Sequence, residues 1–129
     1  MVRETIAPKN VWDSKPYNFA QGVKVRDGAE MLFIAGQSGI DKDGRIVEGF
    51  EEQVRLSFEN IRNVVSAAGG TLRNVIKITT FVTNMAGLEI YSRIVGEYFG
   101  ADLPAASIIQ VSALALPGME VEIEAVAIL

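Results

Sequence analysis

The chain has 129 residues, with 12 Lys or Arg against 16 Asp or Glu, so its formal net charge is −4. This length suits a single domain spanning residues 1–129, and the balance of 49% hydrophobic and 22% charged residues excludes global disorder. The acidic balance argues against nucleic acid as a partner, because a phosphate backbone is bound by a basic face. The absence of Cys and His excludes disulfides, thiolate nucleophiles, zinc thiolates and catalysis by imidazole.

The N-terminus and the hydropathy pattern indicate where in the cell the protein is expected. Residues Met1 to Thr5 lack the apolar run of a signal peptide, and no segment is long and apolar enough to span a bilayer. We therefore expect a cytoplasmic protein without a membrane partner. Acid–base chemistry in this chain must come from Asp, Glu, Lys or Tyr, and a carboxylate must be partly removed from water to titrate near neutrality.

The N-terminal third predicts extended structure joined by turns. Residues up to Asn18 are expected to be irregular. Residues 22–25 and 31–35 flank a charged turn and predict a β-hairpin. The sequence Asp-Lys-Asp-Gly at 41–44 is typical of a tight turn with a left-handed residue, and a short strand is expected at 45–47.

The rest of the chain alternates between helical and extended patterns. Apolar residues at steps of three or four predict an amphipathic helix over residues 50–68, which Gly69 ends. A run rich in β-branched residues predicts a strand at 75–83. Asn84 is a suitable N-cap for a second amphipathic helix, which Gly100 closes.

Two further strands are expected, one from Pro104 to Leu116 and one from Glu120 to Leu129. The element order βββαβαββ predicts an α+β fold in which two helices cover one face of a single sheet. Both faces of the last two strands carry apolar residues, although two helices can cover only one face. Packing between subunits would cover the second face. The alternative is a small barrel closed within one chain.

Three glutamates share one face of the last strand. Glu120, Glu122 and Glu124 are spaced roughly 7 Å apart by strand geometry. They could form a solvated strand edge. For Glu122 that interpretation is weaker, because the same face becomes apolar at Val126 and Ile128. A carboxylate at the margin of a buried interface is desolvated and can act as a general acid or base.

Five segments resemble the reactive-intermediate deaminase family (Rid, or YjgF-like). They are Pro16-Tyr17, Ala35-Gly36-Gln37, Thr80-Phe81-Val82-Thr83-Asn84-Met85, Leu103-Pro104-Ala105-Ala106-Ser107 and Val121-Glu122-Ile123-Glu124-Ala125-Val126-Ala127. The resemblance covers nearly the whole chain from Pro16. It implies a chorismate-mutase-like α+β fold of the bacillus type, with a mixed sheet. It also implies a homotrimer around a central barrel of sheets, with small-molecule pockets between subunits.

The resemblance also implies a chemistry. The best-known members hydrolyse 2-aminoacrylate-type enamines and imines to 2-keto acids and ammonia, with no metal or organic cofactor. Tyr17 and Glu122 match the pocket tyrosine and glutamate of the family, and Glu122 would orient or deprotonate the attacking water. The same resemblance assigns the substrate pocket to Tyr17, Ala35, Gly36, Gln37, Phe81, Ala106 and Ser107, with no metal ligand.

Two positions depart from that best-known branch. Ala106 stands where the branch has an arginine that binds the substrate carboxylate, and Ala35 stands where a hydroxyl residue is frequent. The sequence therefore resembles an arginine-lacking branch that hydrolyses a different imine or enamine. The alternative is a trimeric protein that binds a small metabolite without catalysis. A nuclease or translation-inhibitor role is disfavoured by the acidic charge and the missing His.

Overall fold

The computed structural model describes all residues from 1 to 129. Six strands and two α-helices follow in the order β1 (Val2–Ile6), β2 (Gly22–Arg26), β3 (Met31–Ser38), α1 (Phe50–Ala67), β4 (Val75–Val82), α2 (Leu88–Phe99), β5 (Ala105–Gln110) and β6 (Val121–Ile128). Short 3-10 turns lie at Lys15–Tyr17, Leu72–Asn74 and Met85–Gly87. No helix is long and apolar enough to cross a membrane.

The main sheet has four strands in the order β3-β6-β4-β5. Strand β6 is antiparallel to both of its neighbours, whereas β4 and β5 are parallel, so the sheet is mixed. Side chains of α1 and α2 pack with the sheet in one hydrophobic cluster that includes Phe58, Ile61, Ile94 and Ile123. The expected α+β fold with two helices on one face of a mixed sheet is confirmed.

The two helices follow from local sequence. Val54, Phe58, Ile61 and Val65 of α1 have no exposed surface, as the apolar spacing predicts. Each such side chain contributes about 1.5–3 kcal/mol when fully buried. Gly69, at φ 93°, takes the left-handed conformation expected after α1. The Asn84 side chain accepts a hydrogen bond from the backbone N–H of Ala86, so it caps the 3-10 turn that leads into α2.

The predicted hairpin is wrong. Strand β2 pairs with β1, in a separate two-stranded sheet, and β3 pairs with β6. The expectation of an irregular N-terminus is therefore also wrong for Val2–Ile6. The physical reason lies in β3, whose Ile34 is buried in the main core, so β3 joins the main sheet. Strand β1 has polar residues that suit a small surface sheet, where Glu4 approaches Lys24 within 4.0 Å.

Two other extended segments are shorter than expected. The strand at 45–47 is reduced to one bridge between Ile40 and Ile46. Strand β5 ends at Gln110, so the following residues to Leu116 form a loop. The tight turn at residues 41–44 is as expected: Gly44 has φ 81°, and the Asp41 carboxylate accepts hydrogen bonds from the backbone N–H groups of Asp43 and Arg45.

The sheet face opposite the helices is open within one chain. We call this surface the open face; it includes Met31, Phe33, Thr79, Phe81, Ile109, Glu124 and Val126. Phe33 is 73% exposed, Met31 60% and Ile109 44%. The sheet ends at edge strands β3 and β5, so the alternative of a barrel closed within one chain is wrong. The second apolar face inferred from the sequence is thus a real surface of the chain.

Candidate functional site

Glu122 lines a cleft of about 470 Å³ beside the end of β3. We call it the Glu122 cleft. Its walls come from the end of β3, the turn that follows, α1 and the loop before β6: Gly36, Gln37, Ser38, Ile40, Asp41, Lys42, Asn60, Ala115, Leu116, Met119 and Glu122. Three segments that are far apart in sequence thus meet around one carboxylate.

A bulge in β3 makes room for the Glu122 side chain. The pairing register of β3 against β6 shifts between Ile34 and Gln37, which places Ser38 opposite Glu122. A Cβ atom added to Gly36 would lie 2.6 Å from Cδ of Glu122, far inside normal contact distance. Gly36 therefore leaves the space that the Glu122 carboxylate occupies.

Two amides in α1 hold the walls of the Glu122 cleft. The Nδ2 atom of Asn60 donates to the backbone oxygens of Ser38, at 3.2 Å, and Ile40, at 3.0 Å. Gln53 is buried, and its Nε2 atom donates to the backbone oxygens of Val47 and Gly118. Its Oε1 atom accepts from the backbone N–H of Glu120 at 2.8 Å. These bonds join α1 to the end of β3 and to the start of β6.

Neither amide was inferred from the sequence. Gln53 does carry a signal in the sequence, because it is a polar residue next to Val54 on the buried side of α1. A polar side chain at such a position needs hydrogen-bond partners, and in the structure Gln53 bonds three backbone groups. Asn60 offered none, since an amide on a half-exposed helix position is common. Ser38 also lines the cleft, and no sequence pattern predicts its place beside Glu122.

Tyr17 lines a second and larger cleft, of about 840 Å³, which we call the Tyr17 groove. It lies between the segment before β2, the exposed side of α2 and β5. Its lining includes Trp12, Pro16, Tyr17, Asn18, Phe19, Leu88, Glu89, Tyr91, Ser92, Arg93, Val95, Ala106, Ser107 and Ile108. Ser92 of α2 donates its hydroxyl to the backbone oxygen of Tyr17 at 2.9 Å, which fixes the segment against the helix.

The Tyr17 groove has one arginine, and that arginine is engaged elsewhere. Arg93 donates to the Glu51 carboxylate at 2.8 Å and lies 3.8 Å from the Glu97 carboxylate. Ala106 contributes only a methyl group. The Ser107 hydroxyl accepts a hydrogen bond from Lys77 Nζ at 3.3 Å. The groove therefore offers no unpaired guanidinium that could bind a substrate carboxylate through two hydrogen bonds.

Beneath the groove, the Tyr91 hydroxyl is hydrogen-bonded to the Thr80 hydroxyl, with 2.6 Å between the oxygens. Burial raises the pKa of Tyr91 well above its ordinary value, so the phenol stays protonated. Tyr91 is thus a neutral part of the groove floor. Tyr91 lies with Ile94 and Val95 on the buried, apolar side of α2.

Within one chain, the residues predicted for a single pocket lie in separate places. Gly36, Gln37 and Glu122 line the Glu122 cleft, whereas Tyr17, Ala106 and Ser107 line the Tyr17 groove. Phe81 lies opposite Glu122 in the pairing of β4 with β6. Ala35 lines a depression of the open face with Lys77 and Glu124. The two clefts share no lining residue. No three carboxylates converge closely enough to hold a metal ion.

A family model described as Endoribonuclease L-PSP matches residues 13–129. A RutC family protein of Pyrococcus horikoshii is 37% identical over 129 residues, which cover 98% of each chain. The chain belongs to the Rid (YjgF-like) family. The Rid-family protein YyfB of Yersinia pestis superposes with a TM-score of 0.92 at 34% identity, over 100% of both chains. The chorismate-mutase-like fold expected from the resemblance is therefore confirmed.

The names of Rid relatives include an enzyme activity. The chain is 34% identical over 112 residues to a mouse protein named 2-iminobutanoate/2-iminopropanoate deaminase, covering 85% of this chain and 80% of that protein. Deaminase activity is thus represented in the family to which this chain belongs.

Proposed function

We propose that this Rid protein hydrolyses the C=N bond of a small imine, or of the imine formed from an enamine, without a cofactor. The observation that carries the proposal is the Glu122 cleft, where a carboxylate lies over a glycine at a strand bulge and faces open space. The deaminase name of the mouse relative supports the reaction class. An imine carbon is already electrophilic, so a positioned water and proton transfer are sufficient.

Glu122 serves as the base in this proposal. Its carboxylate takes one proton from a water molecule as the water oxygen bonds to the imine carbon, and it passes this proton to the nitrogen, which gives a neutral carbinolamine. Glu122 then takes the remaining hydroxyl proton and gives it to the nitrogen as the carbon–nitrogen bond breaks. The products are a carbonyl compound and ammonia, and Glu122 is a carboxylate again.

We propose a homotrimer as the working form, with the pocket assembled between subunits. Two features support it. The open face exposes large apolar side chains, Phe33 above all, which a monomer rarely leaves uncovered. The two clefts that carry the family's pocket residues are separate within one chain, so a neighbouring subunit is needed to place Tyr17 near Glu122.

The proposed substrate is not held by a carboxylate clamp. Ala106 offers no hydrogen bond, and Arg93 is held by Glu51 and Glu97. Loss of a charge-assisted bidentate contact removes roughly a few kcal/mol of binding. We therefore propose that 2-aminoacrylate is a poor substrate and that imines without a carboxylate are hydrolysed better.

The test is ammonia release from imines generated in situ, with and without a carboxylate, using wild type and three glutamine variants. Glu122→Gln keeps the shape of the side chain but removes the base, so the rate should fall by roughly two to four powers of ten. Glu120→Gln and Glu124→Gln are the matched controls on the same strand and should keep the rate. If all three variants behave like wild type, the carboxylate mechanism is wrong.

The same panel addresses the non-catalytic alternative. A wild-type protein that releases no ammonia from any imine, yet binds one of the products in calorimetry, would be a metabolite-binding protein of the same fold. Rapid turnover of 2-aminoacrylate would show instead that the carboxylate is held by a group other than residue 106.

A further inference from the structure

Ser38 has a buried hydroxyl with no protein partner. Its residue is 5% exposed, it lines the Glu122 cleft, and its Oγ atom makes no hydrogen bond within the chain. The other buried hydroxyls are all paired. Ser14 and Ser57 donate to backbone oxygens at 2.7 and 2.8 Å, and Thr80 is bonded to Tyr91.

An unpaired buried hydroxyl reduces stability, so such a group in a cleft points to an occupant of that cleft. The occupant must bring a hydrogen-bonding atom, because an apolar one would leave the hydroxyl unpaired. Ser38 is therefore informative in a way that an exposed serine is not.

The position of Ser38 relative to Glu122 identifies that occupant. The two residues are directly opposite in the antiparallel pairing of β3 with β6, so their side chains project on the same face. Opposite residues in such a pair have Cβ atoms about 4.5–5.5 Å apart. Their side chains do not bond each other, yet a single small polar molecule between them can bond both. Gly36, two residues before Ser38, has no side chain, which lets the Glu122 carboxylate lie on this side of β3.

We propose that the Ser38 hydroxyl and the Glu122 carboxylate together hold the hydrolytic water. Ser38 donates its hydrogen to the water oxygen, and the water donates one hydrogen to Glu122. These two bonds fix the orientation of the water and leave its second lone pair free to face the imine carbon. The catalytic part of this assignment rests on the proposed function; the water site itself does not.

The role of Ser38 differs from a structural one in its small effect on stability. Ser38→Ala removes a hydroxyl whose only partner in the proposal is a water molecule, so Tm should change little. Because the water loses one of its two anchors, kcat should fall by roughly 10- to 100-fold while KM changes little. Ser57→Ala is the matched control: it removes a paired hydroxyl away from the cleft, so Tm should fall and kcat should not.

Crystal structures of wild type and Ser38→Ala at high resolution provide a second readout. We expect a water within hydrogen-bond distance of both Ser38 Oγ and the Glu122 carboxylate in wild type, and its loss in the variant. The proposal is overturned if Ser38 bonds a protein group instead, or if Ser38→Ala retains the wild-type kcat. If the wild type hydrolyses no imine, the proposed function fails, and the crystallographic pair alone decides whether Ser38 and Glu122 hold a water.

Discussion

The Gly36→Ala variant tests whether the absence of a side chain at Gly36 sets the position of the Glu122 carboxylate. The new Cβ would lie 2.6 Å from Cδ, 2.7 Å from Cγ and 2.9 Å from Oε1 of Glu122. Carbon atoms normally approach to about 3.5–4.0 Å, so the carboxylate must retreat by about 1 Å. The crowded atoms belong to the end of a flexible side chain, and the backbone of Gly36 is not left-handed. The chain can therefore accept the methyl group by turning Glu122 aside.

This displacement separates activity from stability. A shift of about 1 Å in a reacting group costs on the order of 10²-fold in rate, so we expect a loss of kcat of that size. An off-rotamer Glu122 costs about 0.5–1.5 kcal/mol. The lower entropy of alanine in the unfolded chain offsets about 0.4–1 kcal/mol of that cost. The free energy of unfolding should therefore change by less than about 1 kcal/mol.

The assay is ammonia release at saturating imine, together with urea unfolding of each variant. Gly22→Ala is the matched control, since its Cβ meets the nearest atom, Cβ of Ile6, at an ordinary 3.5 Å. Gly39→Ala provides the opposite control, because its Cβ would lie 2.6 Å from the backbone of Gln53 and should destabilise the fold. If Gly36→Ala keeps the full kcat while Glu122→Gln is inactive, the absence of a side chain at Gly36 does not position the Glu122 carboxylate.

Three further predictions concern stability and assembly. Tyr91→Phe leaves the Thr80 hydroxyl buried and unpaired, so urea unfolding should show a loss of about 1–3 kcal/mol; an unchanged midpoint would contradict this. The hydrogen bond from Arg55 lowers the pKa of Glu97, so its stabilisation is complete above the ordinary glutamate pKa and is lost as pH falls through the lower folded value. Glu97→Gln should therefore flatten the acid side of a plot of Tm against pH. Phe33→Asp places a charge on the open face and should shift light scattering towards the monomer without loss of helical circular dichroism; a persistent trimer would exclude this face as the interface.

Local patterns in the sequence were sufficient for the helices and for strands β4 and β6. The spacing of Val54, Phe58, Ile61 and Val65 predicts α1, because helix periodicity depends only on neighbouring turns. Turn and cap residues such as Asn84 and Gly69 bond or terminate backbone only a few residues away, so their roles could also be predicted from the sequence. The hairpin between 22–25 and 31–35 failed because nearness in sequence does not decide which strands pair.

Composition and local pattern determined the kind of chemistry open to this chain. Without His or Cys, acid–base chemistry was left to Asp, Glu, Lys or Tyr, and alternation along the last strand together with the family resemblance pointed to Glu122 as the proposed base. Only the tertiary structure decided what surrounds that carboxylate. The bulge in β3 and its register against β6 bring Gly36 beneath Glu122 and Ser38 opposite it. Strand pairing is set by burial of the whole sheet against the helices, which joins segments distant in sequence and leaves no signal in any one of them.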